Sequence, residues 1–263
     1  MRPVLFSVFG FDLQSYGLSK ALAALVAAFL LARAFDRVSL KRDSAYSLVI
    51  GATVWGFVGA KVYYLLERAP HLTMHDFGGM GFTWYGGLIG GAVAAVVVVR
   101  RHHLPLDIVA GATAVPLAIA YGIGRLGCLV SGDGTYGKPT TLPWGMRFPD
   151  GVVATDVPVH PTPLYEAFAA IGIAAILWSL GRRWYPTAVF GAYLALSGIS
   201  RFLVEFLRIN TPVLLGLTQP QLWALASVAT GIILIIRAQP VDRRQTRQSG
   251  HGTSDDLAMS ARG

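Results

Sequence analysis

Cysteine is nearly absent from this chain. Of 263 residues only Cys128 carries a thiol, so no intramolecular disulfide can form and no cysteine-rich zinc site can be built. Charge is scarce as well. Asp, Glu, Lys and Arg together make up 14%, against about 25% in an ordinary soluble domain. That shortage excludes a conventional water-soluble globule. Acidic residues are the scarcer kind, 14 against 22 Lys and Arg, which leaves a formal charge of +8. No internal repeat is visible, which disfavours an inverted-repeat transporter. Met1 to Gly17 lacks the long apolar run and the small-residue cleavage site of a cleaved signal peptide. Membrane insertion is therefore expected to be directed by the first spanning helix.

What the chain has instead is apolar length. Hydrophobic residues reach 54% and mean hydropathy is +0.53. Seven spans are predicted, at 17–35, 45–66, 84–100, 107–127, 163–181, 187–207 and 219–237. Each is long enough, at about 1.5 Å per residue, to cross roughly 30 Å of hydrocarbon. The third is rich in Gly and Ala, which lets helix backbones approach closely in lipid. Pro116 falls inside the fourth, where a kink is tolerated if neighbours satisfy the freed backbone. Residues 128–162 form the longest loop, rich in Gly, Pro, Thr and Asp. Long loops in compact proteins are usually functional or disordered.

Lys and Arg sort unevenly between the loops. One side holds Arg33, Arg37, Lys41, Arg42, Arg100, Arg101, Arg182, Arg183 and Arg237. The other holds Arg2, Arg68, Lys138, Arg147 and Arg208. The positive-inside rule then puts the N-terminus outside and the C-terminus in the cytoplasm. The expected class is an all-α integral membrane protein of seven transmembrane helices. Residues 1–237 form the membrane domain, 128–162 an extracytoplasmic loop subdomain, and 238–263 a disordered cytoplasmic tail. The basic excess is explained by topology and anionic headgroups, and nucleic acid is not expected as a partner.

Ionisable groups inside spans are expensive and usually functional. Lys20, Lys61, Arg125 and Arg201 fall inside spans or at their edges, with Asp107, Glu166 and Glu205. Arg201 and Glu205 are four apart, share a helix face and can pair. Arg208 follows three later. Two readings stand for that segment: guanidiniums set to grip a phosphate, or a structural ion pair between packed helices. Gly124-Arg125-Leu126-Gly127-Cys128 runs into Ser131-Gly132-Asp133-Gly134-Thr135-Tyr136-Gly137. Such glycine-rich backbone can approach an anion closely; the bland reading is a snorkelling Arg and a flexible loop. In His160-Pro161-Thr162-Pro163-Leu164-Tyr165-Glu166, Thr162 is expected as N-cap with Glu166 in the first turn. Against that structural reading stands one in which His160 or Glu166 faces the polar site. Cys128 is read as a small packed residue rather than an acyl carrier.

Taken in order, these segments resemble the prolipoprotein diacylglyceryl transferase family. The match comprises Tyr16-Gly17-Leu18, Trp84-Tyr85-Gly86-Gly87-Leu88-Ile89-Gly90, Gly124-Arg125-Leu126-Gly127, His160 through Glu166, and Arg201-Phe202 through Glu205 to Arg208. It runs from about residue 10 to 235. The resemblance implies transfer of a diacylglyceryl group from phosphatidylglycerol to the lipobox cysteine of a preprolipoprotein, with glycerol-1-phosphate leaving. It implies no metal or organic cofactor, a monomer, and a multi-pass place in the bacterial inner membrane. Arg125 and Arg201 would clamp the phosphate and Glu205 would orient Arg201. Tyr16 and Tyr85 would hydrogen-bond the headgroup or the reacting oxygen. Asp133, in place of a glutamate, would position the loop or act as base. Gly86, Gly87, Gly137, His160, Tyr165, Glu166 and Arg208 are the further expected substrate contacts.

The chain departs from the family pattern at several of these places. The usual histidine is Tyr85, whose ordinary pKa near 10 makes it a poor base. Two signature asparagines are Cys128 and Ser131. An expected arginine is Lys61, which keeps charge without the bidentate fork, and an expected glutamine is Pro163. The chain reads as a divergent member. Its departures motivate an alternative, a paralogue that binds phospholipid or lipidates another acceptor without lipoprotein modification. A transporter or channel is the third reading.

Overall fold

The computed structural model describes residues 4–8, 11–69, 72–77 and 81–238. Seven α-helices account for most of them: α1 (Ser15–Arg37), α2 (Arg42–Glu67), α3 (Trp84–Arg101), α4 (Leu106–Ser131), α5 (Thr162–Leu180), α6 (Pro186–Glu205) and α7 (Gln219–Arg237). The predicted spans coincide with these helices to within a few residues. Among the described residues, α1, α2, α4, α5, α6 and α7 are long and apolar enough to cross a membrane. Large apolar side chains such as Leu25, Ile50, Phe168 and Ile236 point away from the protein interior. That much exposed apolar surface is a membrane-facing surface rather than a watery one. Most of the predicted tail, 239–263, lies outside the described residues.

Among the described residues three two-stranded antiparallel ladders, which the apolar pattern had not shown, decorate the helices. They are β1 (Val4–Val8) with β2 (Phe11–Gln14), β3 (Met146–Phe148) with β4 (Thr155–Val159), and β5 (Pro212–Leu214) with β6 (Leu217–Thr218). Strands this short carry too few alternations to be distinguished from loop.

Helix α4 is central and packs on α1, α5 and α6, while α2 packs with α3 and α6 with α7. Small residues set the closest contacts. A side chain at Gly59 or Gly86 would run into the backbone of the opposite helix of the α2–α3 pair. Gly191 and Gly231 play the same part between α6 and α7. Two apolar cores fill the bundle. One joins Leu31, Phe35, Leu48, Val99 and Val109, and the other joins Ala114, Ala118, Ile173, Leu177, Val189 and Ala192.

Helix α4 runs through Pro116 to Ser131, four residues beyond expectation. Cys128 and Ser131 are therefore helical, and the loop begins at Gly132. Gly132 takes φ 61°, the left-handed cap geometry glycine adopts without strain. The loop then closes on a small core in which Tyr136 stacks on Phe148 at 4.3 Å, beside Val159.

Helix α5 corrects a second expectation. Thr162 is not its N-cap: its hydroxyl donates to the Thr135 carbonyl at 2.7 Å, and Pro161 occupies the cap position. Glu166 consequently sits beyond the first turn and is buried to 1% exposure. The loop takes the Thr162 hydroxyl because Thr135 has a carbonyl to satisfy there.

Candidate functional site

Five ionisable side chains from three segments converge at one end of the bundle. Glu166 is the hub. Arg125 Nε lies 3.3 Å from its Oε2, Arg201 Nη1 3.5 Å from its Oε1, and Arg208 Nη1 3.6 Å from its Oε2. Glu205 is the second carboxylate. Arg201 Nη2 approaches its Oε2 at 2.8 Å, the i,i+4 pair expected from sequence, and Arg208 Nε stands 3.8 Å away. Asn210 Nδ2 and Thr218 Oγ1 donate to its Oε1 at 2.5 and 2.9 Å. Thr218 also caps α7 in a capping box with Gln221, so the start of α7 is tied to the end of α6.

The electrostatics are unbalanced. Three guanidiniums face two carboxylates, which leaves a positive excess inside a poorly hydrated site. Among the described residues, Nε and Nη1 of Arg208 are buried without a hydrogen bond, as are Glu205 Oε2 and Glu166 Oε2, which they face only at ion-pair distance. Burial, and then the neighbouring Arg201 guanidinium, holds the Arg208 guanidinium below the usual arginine range. Buried N–H donors of a cation without an acceptor are costly. An anion bound between the arginines would satisfy them.

The loop holds this cluster in place. Gly137 bridges to Arg208, and its N–H donates to the His160 carbonyl at 2.9 Å. Lys138 donates from its backbone to Leu207 O at 2.7 Å and from Nζ to Phe206 O at 3.0 Å. These bonds satisfy carbonyls at the C-terminal end of α6 that the helix itself leaves open.

A cavity of about 450 Å³ opens beside the cluster, between α4, α5, α6 and α7, with Tyr85 of α3 in its wall. Such a volume lies within the range of small-molecule sites. Arg125, Glu166 and Arg201 line its charged part. Ala118, Ala170, Ile173, Gly198 and Ala224 line the apolar part, with Tyr193, Ser197 and Ser227. The Tyr85 ring lies 6.2 Å from Trp223 across the gap between α3 and α7. A cavity charged at one end and apolar at the other suits an anionic amphiphile. Among the described residues no three His, Cys, Asp or Glu side chains gather as a metal site would require.

The structure brings Arg125, Arg201, Glu205, Glu166 and Arg208 together and sets Tyr85 in the cavity wall. Gly137 lies against the cluster through its bridge to Arg208, and the remaining expected residues lie elsewhere. Gly86 and Gly87 lie where α3 touches Gly59 and Gly56 of α2. Tyr16 lies in the first turn of α1 with Lys20 Nζ 5.0 Å over its ring. Asp133 Oδ1 accepts from Thr135 N–H and O–H at 3.1 and 2.6 Å, shaping the turn after α4. His160 Nδ1 lies 3.3 Å from Tyr165 Oη, which accepts from Trp144 Nε1 at 2.9 Å. That trio fastens the loop to α5. Sequence reading missed Tyr121, whose hydroxyl donates to Glu166 Oε1 at 2.6 Å. It also missed Tyr193 and Trp223. An aromatic in an apolar helix carries no signal until its neighbours are known.

Residues 3–237 match the family described as prolipoprotein diacylglyceryl transferase. The chain is 35% identical over 218 residues to the phosphatidylglycerol–prolipoprotein diacylglyceryl transferase of Geobacter sulfurreducens, covering 78% of this chain and 82% of that one. The enzyme of the same name from Clostridium tetani is 31% identical over 215 residues, covering 79% and 86%. That of Clostridioides difficile is 30% identical over 239 residues, covering 89% and 94%.

Proposed function

The chain belongs to the prolipoprotein diacylglyceryl transferase family, and from that membership we propose that it transfers the diacylglyceryl group of phosphatidylglycerol to a prolipoprotein cysteine. The observation that carries the reading is the arginine excess at the charged end of an otherwise apolar cavity. Similarity to enzymes named for this transfer favours it over a paralogue without lipoprotein modification.

In this reading the lipid phosphate sits between Arg125, Arg201 and Arg208, and the apolar walls take acyl chain. The acceptor thiolate attacks the glyceryl carbon that carries the phosphate ester. A C–S bond forms and the C–O bond breaks, its electron pair staying on the phosphate oxygen. Glycerol-1-phosphate leaves. Charge grows on the phosphate as the bond breaks, so preorganised guanidiniums stabilise the transition state more than the ground state. Glu205 orients Arg201, Asp133 shapes the turn after α4, and the Tyr85 side chain contacts the headgroup.

We further read all seven helices as spans of a monomer in the bacterial inner membrane. The N-terminus, the 132–161 loop and the ion cluster face outward, and the C-terminal tail faces the cytoplasm. This places the chemistry at the outer leaflet, where a secreted prolipoprotein emerges. The test is expression in a bacterium depleted of its own transferase, following conversion of prolipoprotein to its lipid-modified form. Restored conversion is expected. Absence of the modified product both in cells and with purified protein would refute the transfer.

A further inference from the structure

We propose that Tyr121 is a positioning residue of the transfer reaction: its hydroxyl pins Glu166 so that the carboxylate orients three arginines without closing tightly on any one of them. This inference rests on the reading of the arginine cluster as the phosphate site.

Geometry carries it. Tyr121 lies one turn before Arg125 on α4, so the two share a face. Its ring lies under the Arg125 guanidinium at 4.9 Å. Its hydroxyl donates to Glu166 Oε1 at 2.6 Å. The arginines approach the same carboxylate only at 3.3, 3.5 and 3.6 Å, whereas tight charge-assisted pairs run at about 2.7–2.9 Å. The shortest bond on this carboxylate therefore comes from a neutral donor.

That arrangement has a chemical consequence. A carboxylate free to rotate would fold onto one guanidinium as a bidentate pair and occupy the N–H groups a phosphate needs. Held by Tyr121, it stays within Coulombic reach of all three, with only the long 3.5 Å hydrogen bond from Arg201 Nη1 formed to it. The ring under Arg125 limits the tilt of that guanidinium as well. Because the hydroxyl is engaged by Glu166, Tyr121 acts through the carboxylate and the arginines rather than on the lipid.

Purified full-length protein in detergent micelles tests this through binding of glycerol-1-phosphate, the leaving group, which needs no turnover. Wild-type protein is expected to bind it and also to transfer diacylglyceryl from phosphatidylglycerol to a cysteine peptide. Binding without transfer would refute the transfer reading alone; no binding would refute the phosphate site and this inference with it. Tyr121→Phe keeps the ring and removes the hydroxyl. It is expected to weaken glycerol-1-phosphate binding about tenfold, the scale of one lost hydrogen bond to a charged group, with a comparable fall in kcat/KM. In a Glu166→Ala background, which removes the acceptor of the Tyr121 hydroxyl, the same change should alter binding less than twofold, because non-additivity marks residues that act through one another. Full additivity would overturn the proposal. Tyr193→Phe removes another hydroxyl from the cavity but none from Glu166. It serves as the comparison should Glu166→Ala not fold, and an equal loss in that variant would overturn the proposal too. So would a Tyr121→Phe protein that no longer folds, since the role would then be structural.

Discussion

At the scale of single residues, Arg201 shows what charge alone cannot do. Its guanidinium spans Glu166 and Glu205, 3.5 Å from one and 2.8 Å from the other. A lysine would keep the charge but not the fork that reaches both carboxylates and a phosphate. Arg201→Ala is expected to lower kcat/KM by about 10²–10³, the usual range for one lost transition-state donor. Arg201→Lys should recover less than about a tenth of the wild-type value, since its ammonium cannot reproduce the planar contacts. Steady-state kinetics on purified protein check both, and a Lys variant at wild-type rate would remove the geometric argument. Arg201 was legible in the sequence because a buried charge with a partner four residues on already states its pairing. Glu166 was half legible: its chemistry was visible, but its hub position depends on how far α5 starts from the loop. Tyr121 was not legible at all, since nothing in an apolar α4 distinguishes it before α5 packs alongside.

At the scale of elements, the loop after α4 and the short segment after α2 do different work. Gly137 sits where the loop crosses the end of α6. A Cβ there would collide with the Leu207 carbonyl and lie 3.0 Å from both His160 Cβ and Thr162 Cγ2. Neither backbone nor a β-branched side chain can step aside cheaply. Gly137→Ala is therefore expected to cost roughly 1–3 kcal/mol, the range for overpacking a closed site. Melting in detergent measures that loss. Activity should fall further than stability, because the collision pushes directly on the backbone beside Arg208.

The segment Met74–Phe77 after α2 is a staple instead. Asp76 accepts from Thr73 N–H and O–H at 2.8 Å each and from Tyr64 O–H at 2.9 Å, with Arg68 Nε 3.0 Å away. The Thr73 backbone bond, first among these, holds its carboxyl down at about 2. A depressed carboxyl stabilises the fold fully above its unfolded pKa near 4 and loses that contribution as pH falls toward 2. The melting-temperature gap between wild type and Asp76→Asn should thus shrink from pH 5 to pH 2. A gap that stays constant would show that the ionised carboxylate is not what stabilises this turn. Helix positions were readable from apolar length, whereas these turns and hairpins depend on partners far along the chain.

At the scale of the whole molecule, a single cysteine makes sidedness measurable. Cys128 is buried, so an introduced thiol can be labelled with little background from the native one. Ser39, His103 and Arg183 lie in the connections 38–41, 102–105 and 181–185, while Asp150 lies in the loop between α4 and α5. With seven spans and the N-terminus outside, Asp150→Cys should react with a membrane-impermeant maleimide in intact cells lacking an outer membrane barrier. Ser39→Cys, His103→Cys and Arg183→Cys should react only after permeabilisation. His103→Cys tests the crossing of α3 most directly. If α3 failed to cross, His103 would lie outside and everything after it would invert, putting Asp150 inside and Arg183 outside. Packing argues against that inversion. Gly127 near the end of α4 contacts Ser19 near the start of α1, and Gly86 at the start of α3 contacts Gly59 late in α2. The α1 and α4 contact therefore puts the loop after α4 at the same end as the N-terminus. Arg33, Arg37, Arg100, Arg101, Arg182, Arg183 and Arg237 all fall at the opposite end, where the positive-inside rule needs them. Labelling of His103→Cys before permeabilisation would reduce the protein to six spans and move the arginine cluster away from the leaflet where a secreted acceptor emerges.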